Sequence, residues 1–443
     1  MANIFSFSKN VFQKTQLEYS KNPSLLFVLL ALLCIPLGYA FNSIALGALL
    51  IVTIIAAKKD NFKLDFKLVL PITLYFLMAL SLIWTIDFNR TLSALSKELP
   101  LLIIPVCFLL FRAFSAEEKN KIINWYSHGI VFYTIFYLLK ASIRFFITHE
   151  SSVFFYHELV TKDVNAIHVS LYVAIAFFYF FIKTPQSLFD KFAALLLFLM
   201  VFLLSSKNII VVFIGLVVCH QLFYTKTAKK LRLKNLILLL VFLISLTFIG
   251  KIKERFKEEY ETIMTDSSVN DVITKENQPV YNVSIKQAWT NEKFSPNDYF
   301  PGTAFRVYQF RIFTEMLQEN PIFWNGFGLD ASYSKIQEKG IHYNLFLGDD
   351  KQEGYQTKNF HNQYVQVFAE LGIFGLIILL AMVAISLWTA IKSKNFISIA
   401  FAVLLLSLFL TESFLWRQRG VTFFILMYCL INSNSNSKKI FAK

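Results

Sequence analysis

The chain has 443 residues, of which 56% are hydrophobic and only 16% are charged, and its formal net charge is +14. That length would suffice for two or three soluble domains, but so apolar a composition indicates a polytopic membrane protein. The surplus of Lys and Arg falls mostly in short connections between apolar runs, so it calls for no nucleic-acid partner.

Apolar runs long enough to cross a hydrocarbon core of about 30 Å recur along the chain. We predict an all-α polytopic membrane protein with about twelve transmembrane helices. Their approximate spans are 24–40, 42–58, 68–86, 99–113, 122–143, 165–183, 190–206, 208–224, 234–250, 363–391, 395–411 and 419–433. The chain then divides into residues 1–250 with the first nine helices, a large and partly helical loop at 251–362, and residues 363–443 with the last three helices and a tail.

Basic residues mark one side of the predicted helices. The even-numbered connections carry groups such as Lys58, Lys59, Lys63 and Lys67, whereas the short odd-numbered connections are sparser in Lys and Arg. The positive-inside rule therefore predicts a cytoplasmic amino terminus and tail, and an outer position for the large loop. No small-residue cleavage site follows the first apolar run, so we expect that run to be retained as a helix.

The large loop has a polar first half and a more regular second half. In residues 303–319 the apolar side chains of Phe310, Phe313 and Leu317 recur at spacings of three and four, which predicts an amphipathic helix that Asn320 and Pro321 would end. Gly326 and Gly328 follow at a spacing typical of a tight turn. We expect the chain to fold back toward the membrane there.

His361 and Asn362 stand at the beginning of the tenth predicted span, and Gly372 and Gly375 follow them. On a regular helix Gly372 would lie about 16 Å below His361 and about 20° round from it, so one stripe would carry the imidazole and both glycines. Glycines on a helix face let a neighbouring helix or a ligand tail approach closely. The imidazole is a candidate general base, and the alternative is an interfacial histidine that only hydrogen-bonds a loop carbonyl.

Arg306 is the better candidate anion ligand of the two arginines in the predicted loop helix. Arg311 has Glu315 four residues on, which offers an ordinary helix ion pair, whereas Arg306 has no acidic residue three or four positions away. The two arginines also lie about 140° apart round a helix, so both cannot readily face one site. The alternative for Arg306 is the solvated face of an amphipathic helix.

Three further basic residues are candidate phosphate ligands at the outer surface. Lys140 and Arg144 are four residues apart at the end of the fifth span, so they would stack on one face. Lys207 lies in a tight connection between two apolar runs. For all three the alternative is contact with lipid headgroups.

Several other polar residues near the outer surface have simpler interpretations. Glu412, Arg417 and Arg419 crowd one short outer hairpin, where they are expected to pair with each other. Glu370 lies nine residues into the tenth span, so it should have a partner or be protonated, and holding helices together suits it better than catalysis. His157 and His168 are interpreted as mainly structural.

The absent motifs narrow the chemistry. The sequence contains no glycine-rich phosphate loop, no paired acidic motif, no His-Glu-x-x-His and no cysteine pair, and its four cysteines all lie inside apolar runs. A nucleotide-sugar enzyme with a bound divalent ion is therefore disfavoured. We expect no metal and no cofactor, and positive side chains would have to stabilise any phosphate charge.

The motif H-N-x9-G-x-x-G at 361–375, preceded by a long loop with Arg306, Phe310, Pro321, Gly326 and Gly328, resembles the O-antigen ligase and polymerase superfamily. The twelve-span layout, with the large loop between spans nine and ten, is similar to that family as well. The specific motifs occupy residues 302–375.

The resemblance implies a membrane glycosyltransferase of the bacterial inner membrane that works at the periplasmic face without metal or nucleotide. The glycan would pass from undecaprenyl pyrophosphate to a sugar hydroxyl, with the lipid A core as the expected acceptor. His361 would be the general base, Asn362 would orient it or the substrate, and Arg306 would hold the pyrophosphate. Two positions depart from the family pattern: Lys207 replaces an arginine and so loses the bidentate fork, and Phe310 replaces a tryptophan.

Three alternatives remain open at this point. A polymerase joining polyprenyl-linked repeat units would use the same base and cations, and an oligosaccharyltransferase would act on protein. A transporter of lipid-linked glycans, with Lys140, Arg144 and Glu370 along its pathway, would show charges near the bilayer midplane and inverted repeats. The charges cluster instead at the outer edge, which favours surface chemistry over passage.

Overall fold

The computed structural model describes residues 22–62, 64–161, 164–204, 206–225, 229–246, 260–263, 265–270, 279–349 and 353–434. The helices that precede the large loop are α1 (Pro23–Cys34), α2 (Tyr39–Ala56), α3 (Phe66–Leu80), α4 (Phe88–Glu98), α5 (Pro100–Leu110), α6 (Ala116–Thr148), α7 (Tyr156–Leu159), α8 (Ala166–Ile182), α9 (Leu188–Leu203), α10 (Lys207–Cys219) and α11 (Lys229–Leu246). Those from the large loop onward are α12 (Ile285–Thr290), α13 (Gly302–Glu319), α14 (Ser332–His342), α15 (Gln363–Ser393), α16 (Phe396–Phe409) and α17 (Gln418–Asn432).

The chain is an all-α membrane protein. In the described parts of the chain, six helices are long and apolar enough to cross a membrane: Tyr39–Ala56, Phe66–Ile83, Phe88–Leu110, Ala116–Thr148, Lys207–Tyr224 and Gln363–Ser393. Helices α1, α8 and α16 are apolar but shorter. The predicted ninth span, 234–250, lies partly outside the described residues, so the count of twelve stays a prediction.

Helix α17 lies at the centre of the apolar core. Every residue from Arg419 to Leu430 is buried, and this helix packs against α3, α5 and α15. A helix that is apolar on nearly all sides belongs in the interior of a bundle. Its first turn, just after Arg417, therefore provides a fixed point for the residues around it.

Part of the large loop forms a second, smaller core. Its only regular β structure among the described residues is a sheet of three two-residue strands: β1 (Ser268–Val269), β2 (Tyr281–Asn282) and β3 (Asp298–Tyr299). Strand β2 pairs antiparallel with β1 and parallel with β3. Aromatic side chains from α13 and its surroundings, including Phe300, Phe305, Tyr308 and Phe313, pack together beside the sheet.

The amphipathic helix predicted at 303–319 is confirmed, because α13 covers Gly302–Glu319 and ends at Asn320. Its buried face differs slightly from the predicted one. Phe313 is buried, but Phe310 is 48% exposed and its ring stacks on Trp289 at a centroid distance of 6.3 Å. The predicted alignment of Phe310 with the apolar stripe is therefore wrong.

Helix α15 is broken at Gly372, whose backbone has φ 64° and ψ −161°. His361 precedes the helix, which begins at Gln363. The prediction that His361, Gly372 and Gly375 share one helical stripe is wrong for both reasons: the imidazole lies outside the helix, and the helical rotation stops before Gly372. A stretch of 31 residues would in any case extend about 46 Å as one straight helix, more than a hydrocarbon core requires.

The break leaves backbone groups of α15 without helical partners, and the loop segment 323–328 supplies them. Phe327 and Gly328 donate their N–H groups to the carbonyls of Ala369 and Glu370 at 2.8 and 2.9 Å. Ile373 donates to the carbonyl of Phe323 at 2.9 Å. The chain thus folds back against α15 as the two glycines indicate, and buried backbone groups remain satisfied.

This close approach explains the glycines. A Cβ at Gly372 would lie 2.1 Å from the Trp324 carbonyl oxygen, and a Cβ at Gly326 would lie 2.2 Å from the Glu370 carbonyl carbon. Gly375 differs, since a Cβ there would first meet Leu371 and Val367 of its own helix. The prediction was that another helix packs onto Gly372 and Gly375. The structure instead shows the loop backbone in contact with Gly372.

Candidate active site

A cavity of about 1540 Å³ opens where the large loop meets the ends of the membrane helices. Its walls come from around Tyr39, 156–157, 164–167, 206–208, 299–306, Tyr333, 347–349, 353–361 and 411–417. All of these segments belong to connections, or to adjoining helix ends, for which the sequence predicts one and the same side of the membrane. The cavity contains His361, Arg306 and Lys207 together.

His361 occupies a turn rather than a helix. Its φ of 46° lies in the left-handed region, which costs a non-glycine residue about 1–3 kcal/mol and is typically tolerated where function requires it. Its backbone N–H donates to Asn359 Oδ1 at 3.0 Å, and its ring meets Phe305 edge to face at 5.7 Å. The turn therefore holds the imidazole at the cavity wall, 29% exposed.

Glu412 is the partner of His361. His361 Nδ1 lies 3.4 Å from Glu412 Oε2, and Glu412 is buried. A carboxylate that accepts from Nδ1 fixes the tautomer and leaves Nε2 as the nitrogen with a lone pair. Burial by itself would raise the pKa of Glu412, but the hydrogen bond and charge of His361, together with the charge of Arg306, outweigh it and lower that pKa below its ordinary value.

Arg306 is held by three acceptors. Its Nε donates to the Thr411 carbonyl at 2.8 Å, Nη1 donates to the Gly302 carbonyl at 2.9 Å, and Nη2 lies 3.3 Å from Glu412 Oε1. A guanidinium has five N–H groups, so two remain for a ligand in the cavity. Arg306 has no acid nearby on its own helix, as the sequence indicates, yet it finds one 106 residues away.

Two glutamines of α15 connect the turn of His361 to the hairpin of Glu412. Gln366 Oε1 accepts from the Phe360 N–H and from the Ser413 hydroxyl, each at 3.3 Å. Gln363 Oε1 accepts from the Leu415 N–H at 2.7 Å. Phe360 and Ser413, the neighbours of His361 and Glu412, are thus tied to the same helix, which limits how far the His361–Glu412 distance can vary.

Glu370 continues this network below the site. Its Oε1 accepts from Gln366 Nε2 and, at 3.4 Å, from the Ser332 hydroxyl. The expectation that a carboxyl at this depth needs a partner is confirmed. By fixing the amide of Gln366, Glu370 acts on structure and does not line the cavity wall described above.

Lys207 lines the cavity at the beginning of α10. Its neighbour Asn208 donates to the Ser407 carbonyl at 2.8 Å and to Thr411 Oγ1 at 2.7 Å. The beginning of α10 is therefore tied to the hairpin that carries Glu412 and receives Arg306. This arrangement brings two of the four predicted phosphate ligands to one cavity.

The other two predicted phosphate ligands lie elsewhere. Lys140 Nζ donates to the Val160 carbonyl at 2.5 Å, and Arg144 binds the carbonyl and carboxylate of Glu158 at 2.7 and 2.5 Å. They hold the segment around α7, and neither is among the described residues that line the cavity. Lys140 and Arg144 therefore lie apart from Lys207 and Arg306, and their role as pyrophosphate ligands stays a prediction.

Asn362 lies between His361 and the first residue of α15. Its Oδ1 accepts from the N–H groups of Tyr364 and Val365 at 3.0 and 3.1 Å, so it caps the beginning of α15. It thereby fixes the beginning of α15 directly after His361, and its role in orienting His361 or the substrate stays a prediction.

The hairpin charges pair differently from the prediction. Glu412 contacts Arg306 and His361, Arg419 is buried with its guanidinium 4.4 Å from the Tyr39 ring centroid, and Arg417 is exposed at the cavity. The predicted ion pair of Arg311 and Glu315 is confirmed, with Arg311 Nε 3.0 Å from Glu315 Oε1. His168 packs on Phe414 as a structural residue, whereas His157 lines the cavity.

Sequence reasoning missed Glu412 as the partner of His361. The available signal was an acid in a short outer hairpin between two apolar spans, but its basic neighbours made local pairing the simpler interpretation. For metal ligation, no group of three or more His, Cys, Asp or Glu residues is placed to hold an ion in the part of the chain that the structure describes.

Comparison with known families now adds to this geometry. Residues 192–380 match the family described as O-Antigen ligase. This stretch of the chain is therefore similar to the O-antigen ligase family. No curated protein matches the sequence. The match to the O-antigen ligase family includes Lys207, Arg306 and His361, and it ends before the Glu412 hairpin.

Proposed function

We propose that the protein is a metal-independent membrane glycosyltransferase of the O-antigen ligase type. It moves a glycan from undecaprenyl pyrophosphate to a sugar hydroxyl of the lipid A core, at the periplasmic face of the bacterial inner membrane. The family match supports the class of enzyme. The observation that carries the mechanism is the contact of His361 and Arg306 with one buried carboxylate, Glu412, at the wall of one cavity.

In this mechanism His361 Nε2 accepts the proton of the acceptor hydroxyl as that oxygen attacks the anomeric carbon of the donor. The bond between the anomeric carbon and the pyrophosphate oxygen breaks, and the carrier pyrophosphate leaves with the electron pair. Glu412 accepts the Nδ1–H and stabilises the imidazolium that forms. A positioned base of this kind contributes about 10²–10⁴ in rate.

Arg306 and Lys207 would bind the pyrophosphate in the same cavity. Negative charge grows on the leaving group during the reaction, so cations held in place beforehand stabilise the transition state more than the ground state. The three protein acceptors of Arg306 hold its guanidinium ready for this task. Lys207 supplies charge without a fork, so we expect it to contribute less to geometry than Arg306.

A deletion strain complemented with plasmid-borne variants tests the proposal. With wild-type protein, long glycan chains should appear on the lipid A core; with His361→Ala they should be absent there and accumulate on the carrier lipid. His342→Ala, which removes an exposed histidine of the large loop outside the cavity, is the matched control and should behave as wild type. Normal transfer by a well-expressed His361→Ala variant would refute the mechanism.

The same gels separate the ligase from a polymerase of repeat units. In the deletion strain, loss of all chains from the lipid A core with full-length chains on the carrier indicates a ligase. Single repeats on the lipid A core indicate a polymerase. The proposed acceptor is wrong in the second case, although the base and the cations would keep their roles.

A further inference from the structure

Two aromatic rings at the cavity wall are held rigidly by hydrogen bonds at their polar ends. Tyr333, on α14, donates its hydroxyl to the Thr357 carbonyl at 2.6 Å. Trp416, in the turn before α17, donates Nε1–H to Asp330 Oδ1 at 2.8 Å. Both side chains line the cavity that contains His361.

One face of each ring is covered by a cation from α4. The guanidinium carbon of Arg90 lies 4.2 Å from the Tyr333 ring centroid, and Lys97 Nζ lies 5.3 Å from the Trp416 centroid. Arg90 and Lys97 are seven residues apart, so they share one face of α4 and are separated by about 10 Å. Neither Arg90 nor Lys97 is among the described residues that line the cavity.

Each side chain thus meets a cation with one ring face and also lines the cavity. Cation–π contacts restrict the motion of an aromatic ring. The side-chain entropy is therefore lost before a ligand binds, and binding itself costs less free energy. Lys97 Nζ also lies 4.0 Å from Asp330 Oδ2. Asp330, which accepts the hydrogen bond from Trp416, therefore also contacts the cation that covers the Trp416 ring. This is a preorganised pair of flat apolar surfaces.

Arg417 adds polar donors beside these surfaces. It follows Trp416 directly, is exposed, and lines the same cavity. Its guanidinium makes no ion pair or hydrogen bond with the residues that the structure describes. Lys358, Glu353 and Asn359 make the neighbouring wall polar as well, which suits a ligand with both flat apolar faces and many hydroxyl groups better than an acyl chain.

We propose that Tyr333, Trp416 and Arg417 form a sugar-binding subsite, called here the aromatic subsite. The C–H face of a pyranose ring packs on each aromatic ring, and hydroxyl or acidic substituents meet Arg417. The proposal rests on the proposed function, since it takes the ligand to be a sugar of the glycan donor or of the acceptor. These sugars lie beyond the two atoms that react at His361, so the subsite determines which glycan is bound and not how the bond is formed.

Steady-state kinetics of the purified protein in detergent micelles test the subsite. The probes are the carrier-linked glycan and the lipid A core acceptor, both isolated from the deletion strain. Tyr333→Leu and Trp416→Leu should raise KM for one of the two substrates on the order of tenfold, with kcat changed less than about twofold. Tyr333→Phe keeps the ring and should stay close to wild type.

Trp289→Leu is the matched control, because Trp289 is an exposed aromatic residue of the large loop that stacks on Phe310 outside the cavity. Its KM values should equal those of the wild type. If the leucine variants fail to fold, Arg417→Gln replaces them, because the exposed side chain of Arg417 can be changed without a packing defect. This variant too should raise KM for the same substrate.

The outcomes separate the two proposals. A rise in KM for the acceptor alone assigns the aromatic subsite to the acceptor, and a rise for the donor alone assigns it to the donor glycan. Unchanged KM values for both substrates, or a loss of kcat alone, overturn the subsite while wild-type transfer still supports the proposed function. Absence of any transfer by folded wild-type protein overturns the proposed function itself.

Discussion

The carboxylate of Glu412 provides the sharpest test of the mechanism, through the substitution Glu412→Gln. Glu412 is 8% exposed and accepts from Arg306 at 3.3 Å on one oxygen and from His361 at 3.4 Å on the other. Glutamine keeps the shape but offers only one acceptor atom. Its amide nitrogen would therefore face either Arg306 or the imidazole, donor against donor.

The size of the effect follows from the lost charge. A hydrogen bond to a charged group is worth about 1.5–3 kcal/mol, and a unit charge pair at this separation is worth at most about 5 kcal/mol at an effective dielectric constant of about 20. The imidazolium that forms during proton transfer loses this support in the transition state and not in the ground state. Since about 1.4 kcal/mol is tenfold in rate, we expect kcat to fall about 10²-fold.

The assay is glycan transfer by purified protein, with kcat and KM measured separately. Glu315→Gln is the matched control, because Glu315 contacts Arg311, Lys339 and Tyr343 in the large loop outside the cavity. That variant should lose stability but retain kcat. A Glu412→Gln variant with wild-type kcat, or an equal loss of kcat in both variants, would show that Glu412 does not act on His361.

Three further predictions follow from the same contacts. Arg306→Lys should lower kcat/KM about 10²-fold or more because a point charge cannot serve three protein acceptors and a phosphate together, whereas Arg311→Lys should mainly lower the melting temperature; equal losses of activity would contradict the assignment. Gly372→Ala should cost at least about 3 kcal/mol of folding free energy, since a Cβ would meet the Trp324 carbonyl at φ 64°, while Gly215→Ala, with no atom within 4 Å of its Cβ, should melt like the wild type. Because the pKa of Glu412 lies below its ordinary value of 4.5, the carboxylate stabilises the fold fully above pH 4.5, and this stabilisation is lost as the pH falls below that value. Acidification in that range should therefore lower the melting temperature of the wild type more than that of Glu412→Gln. Parallel curves of melting temperature against pH would contradict the contacts of Glu412.

The sequence by itself determined those features that depend on short segments. Apolar runs identify membrane helices because burying their backbone in lipid requires helical hydrogen bonding, and the periodicity at 303–319 predicts α13 almost to the residue. The Arg311–Glu315 pair is also local, being one helical turn long. Because Arg311 has this local partner, the sequence favours Arg306 over Arg311 as the anion ligand of the loop helix. Of these two arginines, Arg306 is the one that lines the cavity.

Only the tertiary structure decided which distant groups meet. Arg306 pairs with Glu412 across 106 residues, and Trp416 is held by Asp330 across 86; no local pattern encodes either distance. The stripe of His361 and Gly372 failed because regular helical geometry was extended through a glycine whose positive φ is stabilised by loop backbone contacts. Lys140 and Arg144 have suitable chemistry, but they contact the segment around α7 and are not among the described residues that line the cavity. Side-chain type and spacing are set by the chain alone, whereas the partner of each charge is set by how the large loop packs onto the helices.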